Sequence, residues 1–106
     1  MSAVALPATL ESRLPDIAPL CARLGVARLE LFGSAANGQF DATRSDYDFL
    51  VQLDPLAQGS RAKRLLELAE TLESMLGARV DLADPRYIRN PYFAAEVQKS
   101  RRLIYG

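Results

Sequence analysis

The sequence predicts a mixed α/β fold: a three-stranded mixed sheet with helices packed mainly on one face. The first observation is that short apolar runs, typical of strands, alternate with longer stretches whose apolar residues recur at helical spacing. The second is that glycine and proline fall between these segments, where they end one element before the next begins. The resulting order is helix, strand, short helix, strand, helix, strand, helix, which favours helices layered on a sheet.

The first helix is predicted from Asp16 to Leu24. Pro15 biases the residue before it away from helical conformation, and Pro19 is tolerated because it falls near the first turn. Gly25 then ends the helix as a C-terminal cap. The apolar residues that share one face of this helix are Ile17, Leu20, Cys21 and Leu24. Cys21 is therefore expected to be a small core residue and not a reactive thiol.

Three strands are predicted, at Val26–Phe32, Phe49–Leu53 and Arg79–Ala83. Alternate residues of a strand face opposite sides of a sheet, so Asp46 and Asp48 should point the same way, away from the core. Asp81 should do the same in the third strand. Glu30 in the first strand is either a further active-site carboxylate or a residue that pairs with an arginine or faces solvent.

A long second helix is predicted from Arg61 to Leu76. Ser60 is expected to be its N-cap and Gly77 to end it. The apolar residues that follow helical spacing are Ala62, Leu65, Leu66, Ala69, Leu72 and Leu76.

The last helix is predicted to begin at Pro91, with Asn90 as its cap. After it, residues 101–105 are expected to be either the end of that helix or a short strand. Residues 1–14 receive no firm assignment.

Composition limits the chemistry of the chain. The 13 basic and 13 acidic residues give a formal net charge of zero, which argues against broad electrostatic binding to nucleic acid. With no histidine and one cysteine, histidine-dependent catalysis, an internal disulfide and most zinc sites are excluded. No apolar stretch is long enough to cross a membrane and the N-terminus does not resemble a signal peptide. We therefore expect a single domain, residues 1–106, in the cytoplasm.

The stretch that carries chemistry begins at Gly33-Ser34 and reaches Asp46-x-Asp48 after eleven intervening residues. Two carboxylates on one face repel each other unless a cation lies between them, and a hard divalent ion such as Mg²⁺ suits these oxygen ligands. Backbone N–H groups at a strand-to-helix turn suit phosphate. The combination predicts phosphoryl or nucleotidyl transfer, against the simpler interpretation of an ordinary turn followed by exposed aspartates.

This Gly-Ser and Asp-x-Asp arrangement resembles the signature of the DNA polymerase beta nucleotidyltransferase superfamily. The short chain and its flanking sequence resemble the minimal nucleotidyltransferases of that superfamily, the MntA-like antitoxins, from about Asp16 onward. The resemblance implies a polymerase-beta-type core in which Asp46, Asp48 and Asp81 are the catalytic and metal-binding carboxylates. It also implies that Gly33 and Ser34 contact the nucleotide.

The same resemblance implies a function. Mg²⁺ would be the cofactor and ATP the substrate, and AMP would pass to a hydroxyl, a tyrosine, of a partner HEPN-domain toxin that it silences. The family often has an arginine where Asn37 stands, which puts in doubt any phosphate or partner contact made by that arginine. Arg44 is either its substitute or a solvated loop residue.

Two alternatives to an antitoxin transferase stay open at this point. One is a nucleotidyltransferase acting on a small molecule or RNA, which would normally carry a further acceptor-binding domain. The other is a partner-binding antitoxin that neutralises its toxin sterically and needs no catalysis.

Overall fold

The computed structural model describes residues 6–33, 36, 46–84 and 89–106, without the side chains of Phe93 and Glu96. The elements, in chain order, are helix α1 Ala8–Arg23, strands β1 Val26–Phe32 and β2 Tyr47–Leu53, helix α2 Arg61–Leu76, strand β3 Val80–Ala83, helix α3 Pro91–Ser100 and strand β4 Arg102–Tyr105. The predicted mixed α/β class is therefore confirmed. Within these described ranges, no helix is long and apolar enough to cross a membrane.

The sheet has four strands, so the prediction of three was wrong. Their order is β3-β2-β1-β4. β2 runs parallel to β3, whereas β1 is antiparallel to both β2 and β4. The additional strand is β4, a segment of four residues that is too short for its own periodicity to identify it. It becomes a strand because it pairs with β1, with Leu31 opposite Arg102.

Helix α1 begins at Ala8 and not at the predicted Asp16, and it continues through both prolines. Pro15 and Pro19 are exposed and lie four residues apart, so they share the outer face of the helix. The backbone carbonyls that lose a hydrogen bond there can be hydrated by water. Burial of Leu10 in the core, together with the apolar face predicted from the sequence, offsets the cost of the prolines.

The main core lies between one face of the sheet and helices α1 and α2. The sheet contributes buried side chains at alternate positions of β1, β2 and β3: Leu29, Leu31, Phe49, Val51 and Val80. Cys21 of α1 lies in this core, where burial raises the pKa of its thiol to about 11. It is therefore a packing residue, as predicted.

Helix α3 packs on the other face of the sheet. Val97 of α3 forms a second, smaller apolar cluster with Phe32 of β1 and Leu50 of β2. Two helices thus cover one face of the sheet, and one helix covers part of the other. The aspartates were expected on this second face, so α3 lies on the same face as the predicted site.

The caps of α2 are those predicted from the sequence. The Lys63 backbone N–H donates to Ser60 Oγ at 3.3 Å, and Gly77 adopts the left-handed conformation that ends the helix. The predicted apolar face was wrong at Leu66, which is 60% exposed, and at Ala62, which is also exposed. The side chains that α2 buries are Leu68, Leu72 and Leu76. At the start of α3, the Tyr92 N–H donates to Asn90 Oδ1 at 2.9 Å, which confirms that cap.

Candidate active site

Strand register brings together residues that are far apart in the sequence. In the antiparallel pair β1–β2, Phe32 lies opposite Asp48, so Gly33 follows directly beside that aspartate. In the parallel pair β2–β3, Asp48 lies opposite Asp81. Neighbouring strands are about 4.8 Å apart, so the two aspartates are immediate neighbours across the sheet.

The two aspartates also share a face. Phe49 on one side of Asp48, and Val80 and Leu82 on the two sides of Asp81, pack in or against the main core. Alternation along the strands therefore turns both carboxylates to the face on which α3 lies. Asp46 lies two residues before Asp48, just ahead of the first residue of β2, and is half-buried.

Negative charge accumulates at this position. The pKa of Asp48 is raised, first because its carboxyl is partly buried and then because Asp81 and Asp46 lie nearby. Among the described residues, none of these three carboxylates forms an ion pair with an arginine or lysine. The site therefore holds negative charge that the described part of the chain does not neutralise.

The chemistry of these donors fits a divalent cation. Carboxylate oxygens are the ligands that Mg²⁺ prefers, and a cation would relieve the repulsion that raises the pKa of Asp48. The aspartates do not by themselves surround one point: within the described ranges, no group of three acidic, cysteine or histidine side chains is placed to hold a metal ion. Strand register and mutual charge repulsion nevertheless show that Asp46 and Asp81 both lie near Asp48, and the role of the three residues in binding metal stays a prediction.

Gly33 approaches Asp48 so closely that a side chain added at this position would displace the carboxylate. Its φ of +75° lies in the left-handed region, which favours glycine. A Cβ atom at this position would lie 2.8 Å from Asp48 Oδ2. The glycine of the motif is therefore needed for two reasons, its backbone conformation and the room it leaves for the carboxylate.

The backbone N–H of Gly33 has a partner that the sequence did not suggest. It donates to the hydroxyl oxygen of Ser100, the last residue of α3, at 3.1 Å. The carbonyl oxygen of Gly33 accepts from the Ala36 N–H at 3.0 Å, which forms a turn. The predicted phosphate contact of Ser34 lies outside the described residues, as do Asn37 and Arg44.

Glu30 pairs with arginine, one of the two readings left open by the sequence. The Arg101 side chain donates through Nε and Nη2 to the two carboxylate oxygens of Glu30, both at 2.8 Å. Arg28 Nε lies 3.1 Å from Glu30 Oε1. The hydrogen bonds from Arg101 hold the pKa of Glu30 below its usual range, against the effect of burial. Glu30 thus joins the junction between α3 and β4 to strand β1.

A cavity of about 260 Å³ lies elsewhere. Its lining residues are Ala27, Gln52, Leu53, Pro55 and Asp84. These residues surround the C-terminal end of β2, whereas Asp48 is near the N-terminal end of that strand. The side chain of Asp84 is bound to Arg61, so this cavity is distinct from the cluster of aspartates.

Comparison with known proteins agrees with this arrangement. The nucleotidyltransferase domain family matches residues 17–104, and the chain belongs to that family. It is therefore an enzyme of the nucleotidyltransferase class, and the resemblance seen in the sequence is confirmed.

Three relatives narrow the comparison. The chain is 39% identical over 80 residues, 76% of either chain, to the Methanocaldococcus jannaschii "Putative protein adenylyltransferase MJ1379". Its fold is similar to that of a solved "putative minimal nucleotidyltransferase", with a TM-score of 0.71 and 33% identity over 89% of this chain and 91% of that one. It is also similar to a chain from a crystal structure of a toxin–antitoxin with AMP-PNP, with a TM-score of 0.62 and 27% identity over 88% of this chain and 73% of that one.

Proposed function

We propose that this chain transfers AMP from ATP to a hydroxyl group of a separate protein, a tyrosine of a HEPN-domain toxin. The observation that carries the proposal is the strand register, which places Asp48 between Asp81 on one side and Gly33 on the other, in a chain of the nucleotidyltransferase family. Such adjacency suits one reacting phosphate held between a carboxylate pair and a close backbone turn.

In this proposal Asp46, Asp48 and Asp81 would hold Mg²⁺ with the triphosphate. When bound, the cation supplies positive charge against the charge that develops on the transferring phosphoryl group. Asp48 is half-buried and lies next to Gly33, so it forms the inner side of the proposed site. Asp81 is exposed at the outer side, where an incoming hydroxyl can reach it and give up its proton. The acceptor oxygen then bonds to the α-phosphorus and pyrophosphate leaves.

A protein acceptor is supported by what the chain is similar to. The relative from Methanocaldococcus jannaschii bears the name of a protein adenylyltransferase, and the toxin–antitoxin structure contains AMP-PNP, an ATP analogue. A tyrosine hydroxyl suits the site because it is an oxygen nucleophile that a neighbouring carboxylate can activate. The identity of the partner as a HEPN toxin rests on the resemblance seen in the sequence.

The test is incubation of the protein with ATP, Mg²⁺ and a purified HEPN-domain protein from the same organism. We expect the intact mass of that protein to rise by whole adenylyl groups, and peptide mapping to place them on tyrosine. Asp81→Asn is expected to abolish the gain, whereas Asp16→Asn, a change at an exposed surface pair with Arg13, should leave it unchanged. A partner whose mass stays constant with the wild-type enzyme would contradict the proposal.

A further inference from the structure

The junction between α3 and β4, formed by Ser100 and Arg101, reaches the glycine of the active-site motif. β1 and β4 are antiparallel, with Leu31 opposite Arg102. Continuing that register by two residues places Gly33 opposite Ser100. At this point the chain is helical, so no strand backbone is present to accept the N–H of Gly33.

The Ser100 side chain takes over that hydrogen bond. Its hydroxyl oxygen lies 3.1 Å from the Gly33 nitrogen, where the carbonyl of a continued β4 would otherwise accept. The bond fixes the peptide plane between Phe32 and Gly33. The orientation of that plane sets how closely the Gly33 turn approaches Asp48. The approach is so close that a methyl group added at Gly33 would collide with the Asp48 carboxylate.

Arg101 holds this junction in place. Its guanidinium binds both carboxylate oxygens of Glu30, which is 5% exposed, and its Nη1 donates to Gln98 at 3.3 Å. A bidentate arginine–carboxylate contact is geometrically restrictive, so it fixes the end of α3 relative to β1. Ser100, directly before Arg101, is thereby presented to Gly33 in one position.

We infer that Ser100 is a positioning residue for the nucleotide site. Through its hydroxyl it holds the Gly33 turn in the geometry that accepts the phosphates of a nucleoside triphosphate. The inference rests on the proposed function. Ser100 lies near the C-terminus, outside the Gly-Ser and Asp-x-Asp motif, and would nevertheless contribute to nucleotide binding.

The variants Ser100→Ala and Ser100→Thr test this inference. Ser100→Ala removes the acceptor, and we expect faster hydrogen exchange of the Gly33 amide in the nucleotide-free protein. Affinity for Mg-ATP, measured by calorimetry, should weaken about tenfold, the usual effect of losing one such hydrogen bond. Ser100→Thr keeps the hydroxyl and should restore both. Ser74→Ala, on the exposed face of α2, is the matched control and should resemble the wild type.

Steady-state kinetics separates positioning from a purely structural role. If Ser100 only stabilised the fold, its loss would lower the active fraction, so kcat would fall with an unchanged KM for ATP. Positioning of the phosphate turn instead predicts a KM for ATP raised about tenfold at a similar melting temperature. Wild-type affinity for Mg-ATP in Ser100→Ala would overturn the inference alone. A wild-type protein that binds no Mg-ATP would overturn the proposed function as well.

Discussion

Asp48 is the residue at which burial, like charge and close backbone contact coincide. Its side chain is half-buried and lies beside Asp81 in the sheet. Its Oδ2 atom lies where a Cβ atom of residue 33 would otherwise need room. Burial first, and then the negative charges of Asp81 and Asp46, make ionisation unfavourable in the absence of a cation, which is why the pKa of Asp48 is raised. The ionised Asp48 carboxyl therefore lowers the stability of the metal-free folded protein, as residues of functional sites commonly do.

Asp48→Asn is expected to abolish transfer while leaving the metal-free protein equally or more stable. A raised carboxyl pKa means that the folded state holds the proton more tightly than the unfolded state. The destabilisation is hence absent below the ordinary carboxyl pKa and develops as the pH rises through the raised value. Thermal melts at neutral pH in a chelator measure the effect, with Asp16→Asn as the surface control. A large drop in melting temperature would mean that Asp48 is a structural residue.

Gly33→Ala is expected to lose activity for a reason that its matched control, Gly77→Ala, lacks. Both glycines have positive φ, +75° and +65°, so both changes should cost about 1–2 kcal/mol of stability. Around Gly77 no atom lies within 4 Å of the added methyl group, whereas at Gly33 that group meets Asp48 Oδ2. We expect transfer to fall about 100-fold in the first variant only, since displacement of a catalytic group by 1 Å has an effect of that size. Equal activities in matched assays would show that Asp48 moves aside without consequence.

At the scale of elements, the contact of Glu30 with Arg101 decides where α3 lies. Among the described side chains, those of Val97, Phe32 and Leu50 form a small apolar cluster between this helix and the sheet. The buried carboxylate adds a directional contact at the end of the helix. Removing one partner of such a pair leaves the other charge without compensation, which is more costly than the pair itself is stabilising.

Glu30→Gln is expected to destabilise the fold by about 2 kcal/mol, less than for a fully buried pair because Arg101 is one-third exposed. The pKa of Glu30 is lowered in the folded state, so its contribution is present above the ordinary glutamate pKa and is lost as the pH falls through the lowered value. The wild type and the variant should thus converge in melting temperature at low pH. Glu67→Gln, which breaks the exposed pair with Arg23, is the control and should change stability by less than about 1 kcal/mol. A constant difference between wild type and Glu30→Gln across the pH range would contradict this account.

At the scale of the whole molecule, we expect group transfer and partner binding to depend on different residues. The charged cluster occupies one end of the α3 face, while large apolar side chains are exposed at Leu56, Leu66, Tyr92 and Leu103. Substitution of one half-buried aspartate changes none of these exposed residues. Partner binding and group transfer can consequently be tested apart.

Asp48→Ala is expected to associate with the proposed HEPN-domain partner with wild-type affinity yet fail to modify it. Association is measured by size-exclusion chromatography or calorimetry, and modification by the intact mass of the partner after incubation with Mg-ATP. If toxicity is still suppressed by a variant that adds no adenylyl group, the sterically acting antitoxin is the correct account. If the wild-type protein adenylylates a small molecule or RNA and not the partner, the proposed acceptor is wrong and the proposed transfer of AMP is correct.

The sequence by itself determined the features that depend on neighbouring residues. The caps at Ser60 and Gly77, the shared face of Leu29 and Leu31 in β1, and the Asp-x-Asp spacing at the start of β2 are each read within one element or one turn. Backbone propensity and side-chain alternation depend only on residues close together in the chain, so they can be predicted from one sequence.

Only the tertiary structure decided what depends on pairing between distant segments. The Gly33–Ser100 bond spans 67 residues and the Glu30–Arg101 contact spans 71. β4 becomes a strand, and α1 remains helical through Pro15 and Pro19, because contacts made elsewhere outweigh weak local preference. No local pattern encodes which residue will lie opposite Gly33, since strand register is fixed only when the sheet assembles around its core.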